Sequence, residues 1–400
     1  MKILLATGVY PPRIGGPARQ VHDLAVALKD SNIEVAILTF GDKSGVEESD
    51  GIRVYYIKDK FKLFKLWRKY AGIKKMLKRI HGEFKPDVIH SNSVRFLAYW
   101  VGAYARKNKI PSLTKYAGDF VYEKINQNSL VVADVENVFR QNTKARILTI
   151  IEKKILNKFD FVWAQSNYQK NILVGHLGVK PEKIITMPNY INIKPRISRD
   201  KEPSDNTEEG AIQSKRKIIL STSRFVPWKN LEAQVFVAKK LRELTTTPFF
   251  LYLVGGGNAE ILGRISRLIK ENSLINEIKI LPQVSPLEIG KIFEQADVYL
   301  STSLYEPFGI VFVEAMAAGL PIVALGTCSV PEIIKDGHVG FVVKRGPNYI
   351  DYLAERLKVV IENEDIYEYF ARNSLKEAEK YDLKSNVGKF VDLYKKMIHV

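Results

Sequence analysis

Short apolar runs alternate along the chain with longer segments in which apolar residues recur every three or four positions. The runs are typical of buried strands, and the longer periods are typical of helices. A helix is predicted over 17–28, between the first two runs. This β-α-β alternation predicts a parallel sheet with helices on both faces. The predicted strands are Lys2–Thr7, Val35–Phe40, Val88–His90, Ser112–Tyr116 and Phe161–Gln165.

The pattern stops in a polar, charged stretch and then restarts. We predict an N-terminal domain over 1–195, a linker over 196–216 and a second α/β domain over 217–382. The last helix, 383–400, is expected to return to the first domain. Four hundred residues suit two domains of this size. The strands predicted in the second half are Ile218–Ser221, Phe250–Val254, Lys279–Leu281, Val298–Thr302 and Pro321–Ala324.

Two doubly wound domains in tandem are expected to face each other across a deep cleft. Ligands of such sheets bind beyond the carboxyl ends of the strands, close to helix N-termini. Residues that bind a ligand are therefore expected directly after the predicted strands.

The net charge of +17 lies entirely in the first half of the chain. Residues 1–200 carry 35 Lys and Arg against 18 Asp and Glu, whereas residues 201–400 carry 26 of each. Nine basic residues and no acidic one fall within 60–79. Apolar residues recur there at helical spacing, which predicts a basic amphipathic helix over 60–80. They are Leu63, Trp67, Tyr70, Ile73, Leu77 and Ile80.

Two interpretations of this helix remain open: its apolar stripe packs on its own domain, or it binds an anionic membrane surface or an acidic acceptor. Nucleic acid is not expected, because no recognition motif accompanies the charge. The N-terminus lacks the pattern of a secretory signal, and no apolar stretch is long enough to span a bilayer. A cytoplasmic location, with peripheral attachment to the membrane as an option, is therefore expected.

Three loops carry residues suited to phosphate. Gly15 and Gly16 follow the first strand and precede a helix, although a tight turn explains paired glycines equally well. Arg224 and Lys229 follow the first strand of the second domain and can face a diphosphate or form a solvated charge pair. Gly255 begins a glycine-rich loop predicted after the next strand, without the spacing of a dinucleotide fingerprint.

The segment 300–321 is the most informative. Glu306 lies in a predicted loop, and Glu314 lies about two turns into the apolar helix FVEAMAAG that follows. A carboxylate in such a helix is costly unless it is paired or binds something. A ribose diol is a suitable partner, and an internal basic residue is the alternative.

The segment resembles the E-x7-E signature of retaining GT-B glycosyltransferases of the glycogen synthase and mannosyltransferase type (family 4, group 1). The match continues through 324–332 and 337–341, and the glycine and Arg/Lys loops follow the family's order. The resemblance implies that Arg224 and Lys229 bind the donor diphosphate, that Glu306 binds sugar hydroxyls and that Glu314 binds the ribose. It further implies donor contacts from Gly15, Gly16, Gly255, Gln283, Val284, Phe308, Gly309 and Ile310.

The chain departs from this family in its first half. Many relatives have a histidine after the strand that corresponds to 113–116, and none is present here. Asp119 is the nearest acid, and two interpretations stay open: an acceptor-side catalytic base or sugar contact, or an aspartate that caps the next helix. His90 is likewise either an acceptor contact or a structural hydrogen bonder. The histidines show no metal-ligand spacing and D-x-D is missing, so no metal and no other cofactor is expected.

The function expected from the resemblance is transfer of a hexose from a UDP- or GDP-sugar to an acceptor hydroxyl, with retained configuration. The basic first half favours a glycolipid or cell-surface polysaccharide acceptor. The alternatives are a non-catalytic protein that binds a nucleotide sugar or anionic polymer, and a nucleotide-sugar epimerase on the same fold.

Overall fold

The computed structural model describes residues 1–13, 16–58, 66–92, 95–127, 132, 135, 138–139, 143–193 and 216–399, without the side chains of 66–69 and 286–287. The chain forms two compact units. The first contains 1–125, 134–192 and 382–400, and the second contains 126–133 and 193–381. Apart from Arg216, the predicted linker lies outside the described residues, as does Gly15.

The first unit is built on an eight-stranded sheet in the order β3-β4-β2-β1-β5-β6-β7-β8. Its strands are β1 (Lys2–Ala6), β2 (Glu34–Gly41), β3 (Gly45–Ser49), β4 (Ile52–Lys58), β5 (Val88–Ser91), β6 (Ser112–Lys115), β7 (Phe161–Ala164) and β8 (Ile184–Thr186). Its helices are α1 (Gly16–Asp30), α2 (Leu66–Glu83), α3 (Phe96–Lys107), α4 (Phe120–Asn126), α5 (Thr143–Leu156), α6 (Asn167–Gly175) and the C-terminal α14 (Leu383–Ile398).

The β3–β4 hairpin adds one antiparallel strand pair, which the sequence analysis did not predict, to an otherwise parallel sheet. β3 pairs antiparallel with β4, whereas the other strand pairs of this sheet are parallel. Ser49 pairs with Ile52, so Asp50 and Gly51 form a two-residue turn, with φ of 53° and 68°. Positive φ at both turn positions is typical of type I′ hairpins, for which Asp-Gly is a favoured sequence.

The predicted basic helix begins at Leu66 among the described residues, and its apolar side faces its own domain. Ile73, Leu77 and Ile80 are 0%, 2% and 1% exposed and belong to the core on one side of the sheet. Tyr70 is half-buried against Trp100, with ring centroids 4.0 Å apart. Leu63 and the Trp67 side chain lie outside the described residues. The described part of the stripe therefore packs on its own domain.

The C-terminal helix α14 contributes to the core of the first unit. Leu383, Phe390, Tyr394 and Met397 pack in one cluster with apolar residues of α1 and of the sheet. No helix in the described ranges has the length and apolar character needed to cross a membrane.

The second unit has a six-stranded sheet in the order β11-β10-β9-β12-β13-β14 with parallel pairing throughout. Its strands are β9 (Lys217–Phe225), β10 (Phe249–Gly257), β11 (Ile278–Leu281), β12 (Val298–Ser301), β13 (Ile322–Gly326) and β14 (Gly340–Lys344). Its helices are α7 (Leu231–Leu244), α8 (Ala259–Glu271), α9 (Pro286–Gln295), α10 (Ile310–Ala317), α11 (Val330–Ile333), α12 (Tyr349–Glu362) and α13 (Glu364–Ala378).

The predicted glycine-rich loop is instead the end of strand β10. Gly255, Gly256 and Gly257 pair in register with Ser223, Arg224 and Phe225 of β9. At Gly255, with φ of 150°, an added Cβ would lie 1.9 Å from the Ser223 carbonyl oxygen. Glycine is therefore required for strand pairing at this position, whatever else the residue contacts.

Candidate functional site

A polar pocket lies in the second unit where the strand order reverses. Strand β9 has β10 on one side, which follows it in the chain, and β12 on the other. The point at which the strand order changes direction is called the topological switch point, and ligands of open α/β sheets bind there. Residues at and beyond the carboxyl ends of β9 and β12 line a small pocket that is partly open to solvent. Every lining side chain except that of Val311 carries a polar atom. The pocket therefore suits a polar ligand.

Lys229 and Glu306 form an ion pair in the wall of this pocket. Lys229 Nζ lies 2.5 Å from Glu306 Oε2, and the two side chains are 16% and 9% exposed. The attraction between the two groups offsets part of the free-energy cost of burying them. The sequence resemblance named both residues, and the structure brings them together across 77 positions of the chain.

The loop that carries Lys229 is fixed to the loop after β12. Asn230 adopts a left-handed conformation, with φ of 52°, between the turn Pro227–Lys229 and helix α7. Thr302 Oγ1 donates to the Asn230 carbonyl oxygen at 2.8 Å, and Leu304 N donates to Trp228 O at 2.8 Å. These bonds hold Lys229 in position without using its side chain.

The second carboxylate, Glu314, lies half-buried on α10, whose N-cap is Gly309. Gly309 has φ of 81°, and an added Cβ would lie 2.4 Å from the Phe312 ring. Burial raises the pKa of Tyr299, and the charges of Glu306 and Glu314 raise it further, so both carboxylates lie near one buried phenol. The Phe308 side chain is buried and Ile310 is half-buried. Free amides at a helix N-terminus favour an anion.

The other donor residues expected in this unit lie around the same strand ends. Arg224 is exposed near the end of β9 and pairs in register with Gly256. Gln283 is exposed and Val284 half-buried in the segment between β11 and α9. The side chains of Arg224, Gln283 and Val284 do not line the pocket described above, and neither does that of Glu314.

Sequence reasoning missed several polar residues of the pocket. Gln234 Nε2 donates to Ser221 Oγ at 2.9 Å, and Tyr299 Oη donates to Thr222 O at 3.1 Å. Gln234 Oε1 and Ser223 Oγ are buried and have no hydrogen-bond partner in the part of the chain that the structure describes. A signal for Gln234 was available, since it interrupts the apolar stripe of helix α7.

In the first unit the structure gives Asp119 a capping role. Its Oδ1 accepts a hydrogen bond from Tyr122 N at 2.7 Å at the start of α4, and the residue is 1% exposed. Burial raises the pKa of Asp119 to about 6. Glu152 of α5 is fully buried, and burial followed by the Asp119 charge raises its pKa. Of the two interpretations of Asp119, the helix cap is the one that its described contact supports.

His90 and Lys115 lie at the ends of neighbouring strands β5 and β6. His90 Nδ1 lies 2.7 Å from Tyr394 Oη, and burial lowers its pKa to about 3. Lys115 Nζ donates to Gln20 Oε1 at 2.9 Å and lies 4.5 Å from the centroid of the Trp163 ring. His90 is therefore a structural hydrogen bonder. Gly16, the described half of the glycine pair, begins helix α1 and is exposed.

Two family models match the chain. A model described as "Glycosyl transferases group 1" matches residues 204–377, and a model described as "Glycosyltransferase Family 4" matches residues 14–194. The two matches together span most of the chain and correspond to its two halves.

Curated relatives show similar extents. An uncharacterized glycosyltransferase of Methanocaldococcus jannaschii is 26% identical over 99% of this chain and 98% of its own length. The alpha-monoglucosyldiacylglycerol synthase of Streptococcus pneumoniae is 26% identical over 85% of this chain and 74% of its own length.

Solved structures match the fold. A sucrose-phosphate synthase from Thermosynechococcus elongatus covers 100% of both chains with a TM-score of 0.80 at 20% identity. Anabaena HepE in complex with UDP covers 99% of this chain and 100% of its own, with a TM-score of 0.74 at 19% identity. These likenesses confirm the predicted α/β fold class, GT-B with two Rossmann-like domains.

Proposed function

The chain belongs to the family 4, group 1 glycosyltransferases, and from this premise we propose that it transfers a hexose from a UDP- or GDP-sugar to an acceptor hydroxyl with retained configuration. The observation that carries the proposal is the Lys229–Glu306 pair in the pocket at the β9–β12 switch point. This pair combines a cation for a phosphate with a carboxylate for sugar hydroxyls.

Departure of the nucleotide places new negative charge on the leaving phosphate. Lys229, the exposed Arg224 and the backbone amides of Phe308, Gly309 and Ile310 would stabilise that charge. A preorganised donor aimed at developing charge contributes about 3–4 kcal/mol in comparable sites. In this proposal the basic groups and the helix terminus take the part that a metal takes elsewhere, and transfer needs no added metal or other cofactor.

The remaining donor groups are assigned by the family resemblance. Glu314 would accept hydrogen bonds from the ribose hydroxyls, and Gln283 and Val284 would border the base through their backbone. Gly255 would contact the donor through its backbone, and the family resemblance alone assigns donor contacts to Gly15 and Gly16.

UDP is the first nucleotide to test, because HepE is described in complex with UDP. For the acceptor we favour a glycolipid precursor or a cell-surface polysaccharide intermediate, reached by a protein that acts at the cytoplasmic face of a membrane. The alpha-monoglucosyldiacylglycerol synthase among the relatives supports the lipid class. Asp119 would assist as an acceptor-side base only if its capping bond to Tyr122 were released during the reaction.

The proposal is tested by titration calorimetry with UDP and GDP in the presence of a chelator. We expect one nucleotide to bind the wild-type protein, and we expect Glu314→Ala and Arg224→Ala to lose that binding. Glu294→Ala and Arg267→Ala remove the same charges from exposed positions on α9 and α8 and serve as matched controls.

Turnover is then measured with the UDP- or GDP-sugar whose nucleotide binds, and the anomeric configuration of the product is read by NMR. Inversion would contradict the retaining assignment. Donor binding without hydrolysis or transfer would favour a non-catalytic binding protein. Equal nucleotide affinity in the two site variants and in their controls would remove the assigned donor site.

A further inference from the structure

Helix α5 exposes three isoleucines to solvent on one face. Ile147, Ile150 and Ile151 are 58%, 54% and 46% exposed. Their i, i+3, i+4 spacing places them side by side on the helix surface. We call these three side chains the isoleucine face. Single exposed apolar residues are common, but three adjacent isoleucines on one helix form a patch of the kind found at interaction sites.

Other residues of α5, beside and opposite the isoleucine face, fix the helix to the first unit. Ile155 and Leu156 are 6% and 1% exposed and belong to a core cluster with Tyr116 and Phe159. The helix therefore packs on the unit through these residues, while the isoleucine face stays exposed.

Basic residues extend the isoleucine face at both ends. Lys144 lies three residues before Ile147, and Lys154 lies three residues after Ile151, so both continue the same stripe, and both are exposed. The acidic residue of α5, Glu152, is 0% exposed and adds no negative charge to the surface. The exposed surface of the helix is thus apolar in the middle and positive at its ends.

This combination of charges favours a lipid surface over a second copy of the chain. A two-fold contact through the isoleucine face would bring the lysines at its ends close to those of the other copy, where like charges repel. An anionic lipid surface attracts the lysines, and its acyl region accepts the isoleucines.

Helix α2, in which the sequence predicted such a surface, lacks the apolar part among its described side chains. Ile73, Leu77 and Ile80 are buried in the core, so the described side chains of this helix offer no exposed large apolar residue beside exposed lysines such as Lys74 and Lys78. Charge without apolar insertion gives salt-sensitive attraction rather than anchoring.

We propose that the first unit docks on an anionic membrane surface through helix α5, with the isoleucine face inserted among the lipids and with Lys144 and Lys154 at the headgroups. This docking goes beyond sugar transfer and does not rest on it, because vesicle binding is measured without a donor.

The test is sedimentation of the full chain with vesicles made of equal parts of phosphatidylcholine and phosphatidylglycerol, and with vesicles of phosphatidylcholine alone. We expect binding to the mixed vesicles and weaker binding to the neutral ones. The triple variant Ile147→Gln, Ile150→Gln, Ile151→Gln should lower the partition coefficient by about tenfold or more, because each isoleucine contributes apolar burial.

Ile275→Gln is the matched control, since Ile275 is 63% exposed in the second unit and should not affect vesicle binding. Circular dichroism and thermal melting check that the triple variant folds, which is expected because all three positions are exposed. Lys144→Gln with Lys154→Gln should reduce binding to mixed vesicles more than Lys74→Gln with Lys78→Gln, a pair that removes the same charge from α2.

Three results would overturn the proposal. The first is wild-type protein that binds neither vesicle, and the second is a triple variant that binds as well as the wild type. The third is a wild-type dimer in sedimentation equilibrium that the triple variant dissociates while no vesicle binding occurs, which would assign the isoleucine face to a second copy.

Discussion

One lysine in each unit lies at or just beyond the end of a strand, and the surroundings of the two lysines differ. Lys229, in the loop after β9, is 16% exposed in its side chain and pairs with the Glu306 carboxylate. Lys115, at the end of β6, is 3% exposed and contacts the Gln20 amide oxygen and the Trp163 ring. Burial lowers the pKa of Lys115 to about 7.

The groups around each ammonium account for the different roles of the two lysines. A neutral amide and an aromatic ring stabilise an ammonium less than a carboxylate does, so burial decides the pKa of Lys115. Lys229 has a carboxylate partner and lines an open pocket, so it can meet a charged ligand. We therefore interpret Lys115 as part of the interior of the first unit and Lys229 as part of a binding site.

The largest effect is expected from replacing Lys115 with methionine. The pKa of Lys115 is lowered from 10.5 to about 7 on folding, so between these values the unfolded chain binds a proton that the native chain does not. Wild-type stability should therefore rise with pH across this window, by about 1.4 kcal/mol per unit of pKa difference and by about 5 kcal/mol in all. Lys115→Met lacks this rise.

Urea unfolding at pH 7, 8, 9 and 10 measures the difference in free energy of unfolding between Lys115→Met and wild type. The variant should lose stability relative to wild type as the pH increases. Lys107→Met, at an exposed lysine of α3, should show a constant difference. A constant difference for Lys115→Met as well would mean that Lys115 keeps its proton in the folded state, and the contrast with Lys229 would disappear.

The next effect is on catalysis. Lys229→Ala removes the cation proposed to face the leaving phosphate, and we expect turnover of the nucleotide sugar to fall by about 100-fold or more. Lys270→Ala, at an exposed lysine of α8, should leave turnover unchanged. Thermal melting separates lost chemistry from lost folding, because Lys229→Ala also leaves the Glu306 charge without its cation. A folded Lys229→Ala protein with wild-type turnover would contradict the proposed role.

The elements that form the two sheets could mostly be predicted, because buried parallel strands are short apolar runs between turn residues. The β3–β4 hairpin was missed although Asp50-Gly51 is a favoured hairpin turn, since Val46 is followed by acidic residues and the strand lacks an apolar run. The end of β10 was predicted as a loop because glycines are usually read as turns, whereas here they permit close approach of β9.

The candidate site could be predicted only in part. The motif named Lys229 and Glu306, but their pairing joins residues 77 positions apart and depends on the order β9-β12 in the folded sheet. Gln234 is a single polar residue on the otherwise apolar buried face of α7. One such residue in a sequence is not enough to predict a binding site. The sequence left two interpretations of Asp119 open. The hydrogen bond from Tyr122 N, which is seen in the structure and not in the sequence, favours the helix cap.

The smallest effect concerns the backbone that holds the pocket. Gly309→Ala places a Cβ 2.4 Å from the Phe312 ring at a φ of 81°, so we expect a loss of about 1–2 kcal/mol in the free energy of unfolding. Gly290→Ala, in the middle of α9, meets no atom within 4 Å and should gain up to about 1 kcal/mol from helix propensity. Denaturant unfolding of the two variants gives opposite signs if the N-terminus of α10 is held in this conformation. A Gly309→Ala variant as stable as Gly290→Ala would show that the loop before α10 adapts to the added Cβ. The nucleotide affinity of that variant would then measure how strongly donor binding depends on the positions of the backbone amides at the start of α10.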